Sequence, residues 1–323
     1  MTIVVEDRRS MPLAGQRVMD LSCDGEVRCF HAGTPEHPVY VDQVRSSHAA
    51  LRKMPVVMVH GAGHTGTCYL ATPDRRPGWA PRFAAASRDV FVPDWPGHGR
   101  SPSGPNFSRL GTRDVATSLL ALIEEIGPAV LLVHSASGPM AWWMAERRPD
   151  LVRAVVGIAP GPPANLLRDL PDDPAAIGAL RDDASAGHPV YSSEDAPVRL
   201  TAEFAAAYWA NGPRFPHHAF ENYCRSFAPE SARILNERFN IGGRGLRIAD
   251  PERLRESPIM IVTGDRDPRH PREVDAATAS YLGAEFVWLP DRGIEGNGHM
   301  MMIEDNSDDL AAMILAWLDA VGC

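Results

Sequence analysis

The feature that most constrains the fold is a stretch in the middle of the chain, where an apolar run ends at a serine and an amphipathic segment follows. Val130–Val133 is continuous and apolar, as in a strand buried on both faces. Ser135 then stands among small residues, and apolar positions continue through Trp142 and Trp143. Small residues are needed at such a turn because the strand and helix backbones come close together. The sequence therefore predicts a strand, a sharp turn that exposes the Ser135 hydroxyl, and a helix.

Strand-like and helix-like segments alternate on both sides of this turn. Short β-rich runs near the N-terminus predict an antiparallel start to a sheet, at Gln16–Leu21, Glu26–Phe30 and Tyr40–Arg45. Continuous apolar runs predict buried, mostly parallel strands, at Pro55–Val59, Asp89–Pro93, Arg153–Ala159, Pro258–Val262 and Glu285–Leu289. Amphipathic patterns predict flanking helices, at Trp79–Ser87, Arg113–Ile126, Glu273–Leu282 and Asp308–Val321.

The alternation breaks between residues 162 and 256. No clear strand pattern occurs there, and helical patches appear at Ala175–Leu180, Thr201–Trp209 and Ser231–Phe239. Nearly a hundred residues between two core strands is too long for a plain loop. We therefore predict an α/β core formed by residues 1–161 and 257–323, with a helical cap inserted at 162–256.

Composition narrows the function classes. The chain has 323 residues, 44% of them hydrophobic, and a net charge of −9, which disfavours nucleic acid or an anionic membrane as the main partner. No run of about 18 apolar residues occurs, and charges at Glu6–Arg9 interrupt the N-terminus where a signal peptide would be apolar. We therefore expect a cytoplasmic protein with a small-molecule substrate, and the sequence leaves open whether it forms a homodimer.

The cysteines do not form a recognisable framework. There are five, scattered along the chain and without metal-ligand spacing, which indicates unpaired thiols in a reducing compartment. A Cys23–Cys29 pair across a hairpin remains an alternative. No motif for a metal or an organic cofactor was found, so the sequence predicts neither.

Two glycine-rich turns follow predicted central strands. His60–Gly66 can direct backbone N–H groups into a cleft, and we predict an oxyanion hole formed by the N–H of Ala62, or alternatively Gly63, together with the N–H of Ala136. Asp94–Ser101 permits a tight turn after the next strand, because its glycines tolerate unusual backbone angles. An ordinary glycine turn is the alternative for the first of them.

Three residues in chain order complete the chemistry that a serine nucleophile needs. Ser135 is the candidate nucleophile, and His299 is the candidate base because it lies in a Gly-Asn-Gly loop after the last predicted strand. Asp267 follows a core strand and is the candidate acid that orients the imidazole, with Asp265 as the alternative. This order of nucleophile, acid and histidine is the one found in the α/β-hydrolase fold.

The inserted segment is rich in aromatic residues. We expect Tyr208, Trp209 and Phe215, together with Gly63 of the first glycine-rich turn, to line the substrate pocket, because ligand pockets are mostly apolar. Any single aromatic residue could instead belong to a small core of the segment itself.

With these motifs, the chain outside the insertion resembles the α/β-hydrolase superfamily. It is similar to a branch of bacterial esterases with an H-S-Q-S-G turn, a T-P-D-x-R-x-G-W segment and an H-G-N-x-H-M-M-M loop. The matching pieces here are His134–Gly138, Thr72–Trp79 and Gly296–Met302. The resemblance implies an α/β-hydrolase fold and ester hydrolysis, with Ser135 and His299 as nucleophile and base.

Three positions depart from that branch. Ala136 replaces a glutamine after the nucleophile. Ala62 with Gly63 replaces paired cysteines in the His60–Gly66 turn, which we call the oxyanion loop. Ala159 stands where the branch carries its catalytic glutamate, and a methyl group cannot orient a histidine. The acid has therefore moved to Asp267, comes from elsewhere, or is missing.

From these features we predict a serine hydrolase that cleaves a carboxylic ester or lactone of a small, partly apolar or aromatic substrate through an acyl-enzyme. Two alternatives remain open at this stage. The same fold can support a carbon–carbon bond hydrolase or lyase, and a non-catalytic ligand-binding protein could retain the pocket.

Overall fold

A mixed sheet forms the centre of the protein. The computed structural model describes residues 6–7, 27–46 and 52–323, and within these ranges nine strands pair in the order β1-β2-β3-β5-β4-β6-β7-β8-β9. Pairing is antiparallel from β1 through β3 to β5 and parallel across the rest. In chain order the strands are Glu6–Asp7, Val27–Gly33, Pro38–Val44, Val56–Val59, Val90–Asp94, Ala129–His134, Val152–Ile158, Ile259–Thr263 and Glu285–Trp288.

The central strands are buried on both faces, which explains why they read as continuous apolar runs. Val56 and Met58 of β4 contribute to one hydrophobic cluster, and Val57 and Val59 contribute to the other. Successive side chains of a strand point to opposite faces, so a strand covered on both sides needs apolar residues at every position. The predicted mostly parallel sheet is therefore present, with a core on each side.

The antiparallel start of the sheet also agrees with the sequence. β2 and β3 form a hairpin in which Phe30 pairs with Val41, and β3 joins the parallel strands through β5. The expected strand at Gln16–Leu21 lies outside the described residues. So does Cys23, the proposed partner of Cys29.

Helices cover both faces of the sheet. Their bounds, from α1 to α10, are Thr67–Leu70, Trp79–Ala85, Thr112–Ile126, Gly138–Arg147, Pro174–Ala179, Ala202–Tyr208, Phe220–Cys224, Ala232–Arg238, Arg272–Leu282 and Ser307–Ala320. The longest, α3, ends at Gly127, whose φ of 88° suits glycine, and Pro128 follows. Across the described ranges, no helix combines the length and apolar character needed to cross a bilayer.

The segment between β7 and β8, residues 162–256, contains α5 to α8 and short 3₁₀ turns. α7 was not predicted, and an isolated bridge joins Val198 to Glu230. Trp209, Phe215 and Tyr223 pack into the hydrophobic cluster of the α/β core, not into a separate core. A smaller cluster belongs to the segment itself, formed by Leu170, Ile177 and Ile241. We call residues 162–256 the helical segment below.

Candidate active site

Ser135 lies in a strained turn between β6 and α4. Its φ is 54°, a left-handed conformation that non-glycine residues rarely adopt. The turn is crowded, because a Cβ atom on Gly61 would lie 2.7 Å from His134 Nδ1 and 2.9 Å from Ser135 Cβ. A Cβ atom on Gly138 would lie 2.4 Å from the carbonyl oxygen of Gly161. The small residues around the serine are therefore required by close backbone approach, as the sequence predicts.

A chain of hydrogen bonds connects Ser135 to a carboxylate through His299. The Ser135 hydroxyl lies 3.0 Å from His299 Nε2, and His299 Nδ1 lies 2.7 Å from Asp267 Oδ2. The other carboxylate oxygen, Asp267 Oδ1, accepts the backbone N–H of Arg269 at 2.9 Å. Nδ1 must carry the proton that the carboxylate accepts, so Nε2 is free to accept the serine proton.

Burial and pairing set the charge states of this chain. Burial lowers the pKa of His299 below its ordinary value, although the facing Asp267 opposes the shift. Burial would raise the pKa of Asp267, but the electrostatic interaction and hydrogen bond with His299 outweigh it and hold that pKa below the ordinary value. An ionised carboxylate beside a neutral imidazole is the state from which a histidine can act as a base.

Asp265, the alternative acid, has a different position. Its Oδ1 accepts the backbone N–H of Gly296 at 2.7 Å, and Oδ2 lies 3.0 Å from Arg266 Nε. Asp265 therefore fastens the loop that leads to His299 and does not contact the imidazole. Of the two aspartates, the structure brings Asp267 to the histidine.

The backbone N–H groups of Ala62 and Ala136 remain available near Ser135. Ala136 stands in the first turn after β6, where amide groups have no acceptor within their own helix. Ala62 N–H has no acceptor among the described residues. Gly63 is different, because its N–H donates to Glu230 Oε2 at 2.8 Å. Of the two alternatives in this loop, only Ala62 is thus free to donate to a developing oxyanion.

Buried histidines support the loops around the site. His60 donates from Nδ1 to the carbonyl of Gly61 and accepts the N–H of Trp95 at Nε2. His134 donates from Nε2 to the carbonyl of His299 at 3.0 Å, so its ring contacts the histidine loop, Gly296–Met302. Burial holds the pKa of both rings well below the ordinary value, which keeps them neutral.

Glu230 and His98 form a buried pair that sequence reasoning missed. Glu230 Oε2 lies 3.2 Å from His98 Nε2 and also accepts Gly63 N–H, while Oε1 accepts the N–H of Ser231. In addition, Ala228 N–H donates to the carbonyl of Gly63. The helical segment therefore holds the His60–Gly66 turn in place. No local pattern signals a contact between residues 167 positions apart.

A pocket opens beside Ser135. Its cavity volume is about 40 Å³, so it is narrow. Trp209 forms part of its wall, and its ring stacks 6.4 Å from the ring of His299. The lining residues are Ala62, Ser135, Ala136, Leu200, Phe204, Trp209, Glu230, Leu235, Arg238 and Arg269.

The other three expected pocket residues are not among these lining residues. Phe215 is buried against Tyr223 and Phe220 and belongs to the core. Tyr208 is 41% exposed, and its ring lies tilted against that of Phe204, outside the pocket wall. At Gly63 a built Cβ atom would lie 1.8 Å from Leu200, whose side chain covers the glycine. The aromatic density of the sequence thus reflects packing on the core as well as pocket lining.

A second histidine, His270, lies against His299. The ring of His270 stacks on His299 with centroids 5.3 Å apart, and its Nδ1 donates to Asp275 Oδ1 at 3.0 Å. Burial would lower the pKa of His270, but Asp275 outweighs it and the pKa is raised. Potential ligand atoms of Asp267, His270 and His299 lie within 4.8 Å of one another. A metal ion there would have to replace the proton between His299 and Asp267, so this donor set fits a proton relay better.

The Thr72–Trp79 segment has a structural role at the site. Arg76 donates to the carbonyls of Ile303 and Glu304 just after the histidine loop, and Asp74 accepts from Arg76 Nε at 2.7 Å. Trp79 Nε1 donates to the carbonyl of Ser307 at 2.8 Å. This segment therefore anchors the part of the chain that carries His299.

Ala159 directly follows β7, at the position where the resembling esterases carry their acid. Its φ is 42° and its side chain is fully buried. Asp267 instead follows β8, the neighbouring parallel strand. Carboxyl ends of parallel strands meet at one edge of the sheet, so an acid can approach the same histidine from either strand.

Comparisons with known proteins agree with this architecture. A sequence profile described as "Alpha/beta hydrolase family" matches residues 56–313. A protein described as "Probable secreted lipase phiG", from Fungal sp. (strain ATCC 74256), is 26% identical, with 82% of this chain and 81% of the lipase covered.

Solved structures show the same fold. A thermophilic esterase from Thermogutta terrifontis superimposes with a TM-score of 0.63 at 18% identity, covering 92% of this chain and all of the esterase. Est816, described as an N-acyl homoserine lactone degrading enzyme, superimposes with a TM-score of 0.61 at 17% identity, covering 89% of this chain and 99% of that protein. The predicted α/β-hydrolase fold is confirmed.

Proposed function

Since the chain belongs to the alpha/beta hydrolase family, we propose that this hydrolase is a serine enzyme that cleaves a carboxylic ester or lactone through an acyl-enzyme. The observation that carries the proposal is the unbroken hydrogen-bond chain from the Ser135 hydroxyl through His299 to Asp267. A nucleophile, a base and an orienting carboxylate in this relation are what acyl transfer requires.

In the first half of the reaction, Ser135 attacks the carbonyl carbon of the substrate. His299 Nε2 takes the hydroxyl proton, and the Asp267 carboxylate stabilises the resulting imidazolium. The N–H groups of Ala62 and Ala136 hold the oxygen that becomes negative, an effect worth about 3–4 kcal/mol for one such donor. The imidazolium then gives its proton to the leaving alcohol, and the acyl group remains on Ser135.

In the second half, water replaces the alcohol. His299 takes a proton from the water, which attacks the acyl carbon, and the tetrahedral intermediate again places its oxyanion between Ala62 and Ala136. Collapse returns the proton to Ser135 and releases the acid. A lactone follows the same course, except that the leaving alcohol stays attached to the acyl group until the product departs.

We propose that the helical segment, residues 162–256, is a cap over the site. Its Leu200, Phe204 and Trp209 lie in the pocket wall beside Ser135, and its Glu230 fixes the oxyanion loop. Because the pocket is narrow, a substrate larger than a short ester must displace side chains of this segment. A small, partly apolar substrate fits such a wall.

We also propose kinship with the bacterial esterase branch that the sequence resembles. It is supported by the anchoring of the histidine loop by Arg76 and Trp79, since a long motif with this role would be retained for geometry. The departure at Ala159 then represents a relocation of the acid to Asp267, one strand further along the sheet.

Fluorophosphonate labelling tests the proposed nucleophile. The purified protein is treated with the probe, the modified peptide is located by mass spectrometry, and hydrolysis of p-nitrophenyl acetate and butyrate is measured in parallel. We expect the label on Ser135, and we expect Ser135→Ala to lose both labelling and turnover while its circular dichroism is unchanged. Ser103→Ala, at an exposed serine, is the matched control and should behave like the wild type.

Two results would overturn the proposal. One is a label on a residue other than Ser135, or turnover that survives Ser135→Ala. The other is a folded wild-type protein that neither reacts with the probe nor cleaves any ester or lactone tested, which would favour a ligand-binding protein.

A further inference from the structure

Two arginines line the pocket at the nucleophile, in a chain whose net charge is −9. Arg269 comes from the loop that also carries Asp267, and Arg238 comes from the last turn of α8 in the helical segment. Neither forms an ion pair with a carboxylate among residues 27–46 and 52–323. Positive charge is therefore concentrated at a wall that a hydrolase of neutral esters would not need.

Arg269 is held in place by aromatic rings, without a counter-ion in the part of the chain that the structure describes. Its guanidinium carbon lies 5.4 Å from the ring centre of Phe204 and 5.6 Å from that of Tyr208. Such stacking orients an arginine but leaves its N–H groups without conventional acceptors. Burial lowers the pKa of Arg269 to about 10, still well above neutral pH, so the group stays charged.

The acid that shares this pocket does not neutralise the arginines. Glu230 also lines the wall, but its oxygens accept from Gly63 N–H, Ser231 N–H and His98. Its charge is thus committed to fixing the oxyanion loop. A partly buried cation without a partner is costly, and a site that keeps one gains when a ligand supplies the anion.

The position of Arg269 relative to His299 also favours an anionic ligand. The positive charge of Arg269 is near enough to lower the pKa of His299, which disfavours the imidazolium that forms during turnover. An anionic group bound to Arg269 would offset that effect at the moment of reaction. An unpaired arginine here is therefore a disadvantage with a neutral substrate and an advantage with an anionic one.

We propose that Arg269, assisted by Arg238, binds a carboxylate of the substrate, so that the preferred substrates are esters or lactones carrying a carboxylate beside the bond that is cleaved. This inference rests on the proposed serine hydrolase function and narrows its substrate class. Arg269 is then a specificity residue, because a planar guanidinium binds a carboxylate through two parallel hydrogen bonds.

Paired chromogenic esters test the proposal. Mono-p-nitrophenyl glutarate is compared with p-nitrophenyl hexanoate for a carboxylate on the acyl side, and 4-acetoxybenzoate with its methyl ester for one on the alcohol side. We expect the wild type to prefer the charged ester in at least one pair. Arg269→Gln should reduce the ratio of kcat/KM values, charged over neutral, by about 10- to 100-fold, since a hydrogen bond to a charged group is worth about 1.5–3 kcal/mol.

Controls separate this effect from a general loss of activity. Arg266→Gln removes a nearby arginine that is exposed and already paired with Asp265, and it should leave the ratio unchanged. Arg238→Gln should also lower the ratio, because Arg238 lines the same pocket. A wild type without preference for either charged ester, or an Arg269→Gln variant with an unchanged ratio, would overturn the proposal.

A binding measurement keeps the proposal testable if no ester is cleaved. Glutarate is titrated into the Ser135→Ala variant and into Ser135→Ala combined with Arg269→Gln, and heats are measured by calorimetry. Binding that weakens about 10-fold or more in the double variant supports the carboxylate site, even if the serine mechanism itself is wrong. Equal affinities in the two variants, or no binding to either, would refute it.

Discussion

At the scale of single residues, the two aspartates of the Asp265–Asp267 turn show how position decides role. Asp265 accepts from the Gly296 backbone, whereas Asp267 accepts from His299 Nδ1. An asparagine can still accept a backbone N–H, but in place of Asp267 it supplies no negative charge to stabilise the imidazolium. The same chemical change should therefore have unequal effects at the two sites.

We predict that Asp267→Asn lowers kcat for p-nitrophenyl butyrate by about 10³- to 10⁴-fold, the order of magnitude seen when a triad aspartate is neutralised in other serine enzymes. Asp265→Asn is the matched control and should stay within about 3-fold of the wild type, because its acceptor oxygen is retained. Steady-state kinetics of both variants, with circular dichroism to show folding, make the comparison. The reverse order of effects would place the acid at Asp265.

At the scale of elements, strands and turns were predictable where a local requirement dictates the residue type. Strands covered on both faces demand apolar runs, and the turn at Ser135 demands small neighbours, so both could be read from the sequence. The hydrogen bond between Gly63 and Glu230 and the burial of Phe215 could not be predicted. Both depend on how the helical segment packs on a loop far away in the chain. The binding role proposed for Arg269 was not anticipated, because Asp267, two residues earlier, accounts for the motif on its own.

The Thr72–Trp79 segment gives a prediction at this scale. Arg76→Met should lower the free energy of unfolding by about 2–3 kcal/mol, since it leaves the carbonyls of Ile303 and Glu304 without their charged donor. It should also lower kcat, because these carbonyls follow the loop of His299. Arg75→Met, at the neighbouring exposed arginine, should change neither. Urea unfolding and steady-state kinetics measure both, and equal stability of the two variants would contradict an anchoring role.

At the scale of the whole molecule, buried titratable groups make stability depend on pH from both sides. His60 and His134 have pKa values well below the ordinary value because of burial, so they bind fewer protons when folded, and stability falls as the pH drops below about 6.5. Glu304 behaves oppositely. Burial raises its pKa to about 8, although hydrogen bonds from Gly298 and Asn297 oppose the shift. The folded state therefore keeps a proton that the unfolded state has lost.

For Glu304 the stabilisation is complete below the unfolded pKa of about 4.3 and is lost as the pH rises towards 8. At about 1.4 kcal/mol per pH unit, the wild type should lose about 3 kcal/mol relative to Glu304→Gln between pH 5 and 7.5. In Glu304→Gln, the new side-chain amide oxygen can accept the Gly298 N–H as the carboxyl oxygen does. Its NH₂ group can donate to Asn297 once the Asn297 side-chain amide has rotated. Urea unfolding across this range measures the difference, and other groups that titrate there are common to both proteins.

Asp309→Asn, which removes an exposed charge, is the control. It should leave the dependence of the free energy of unfolding on pH as it is in the wild type. Parallel stability curves for the wild type and Glu304→Gln would mean that Glu304 is ionised in the folded protein, with its charge stabilised by Gly298 and Asn297.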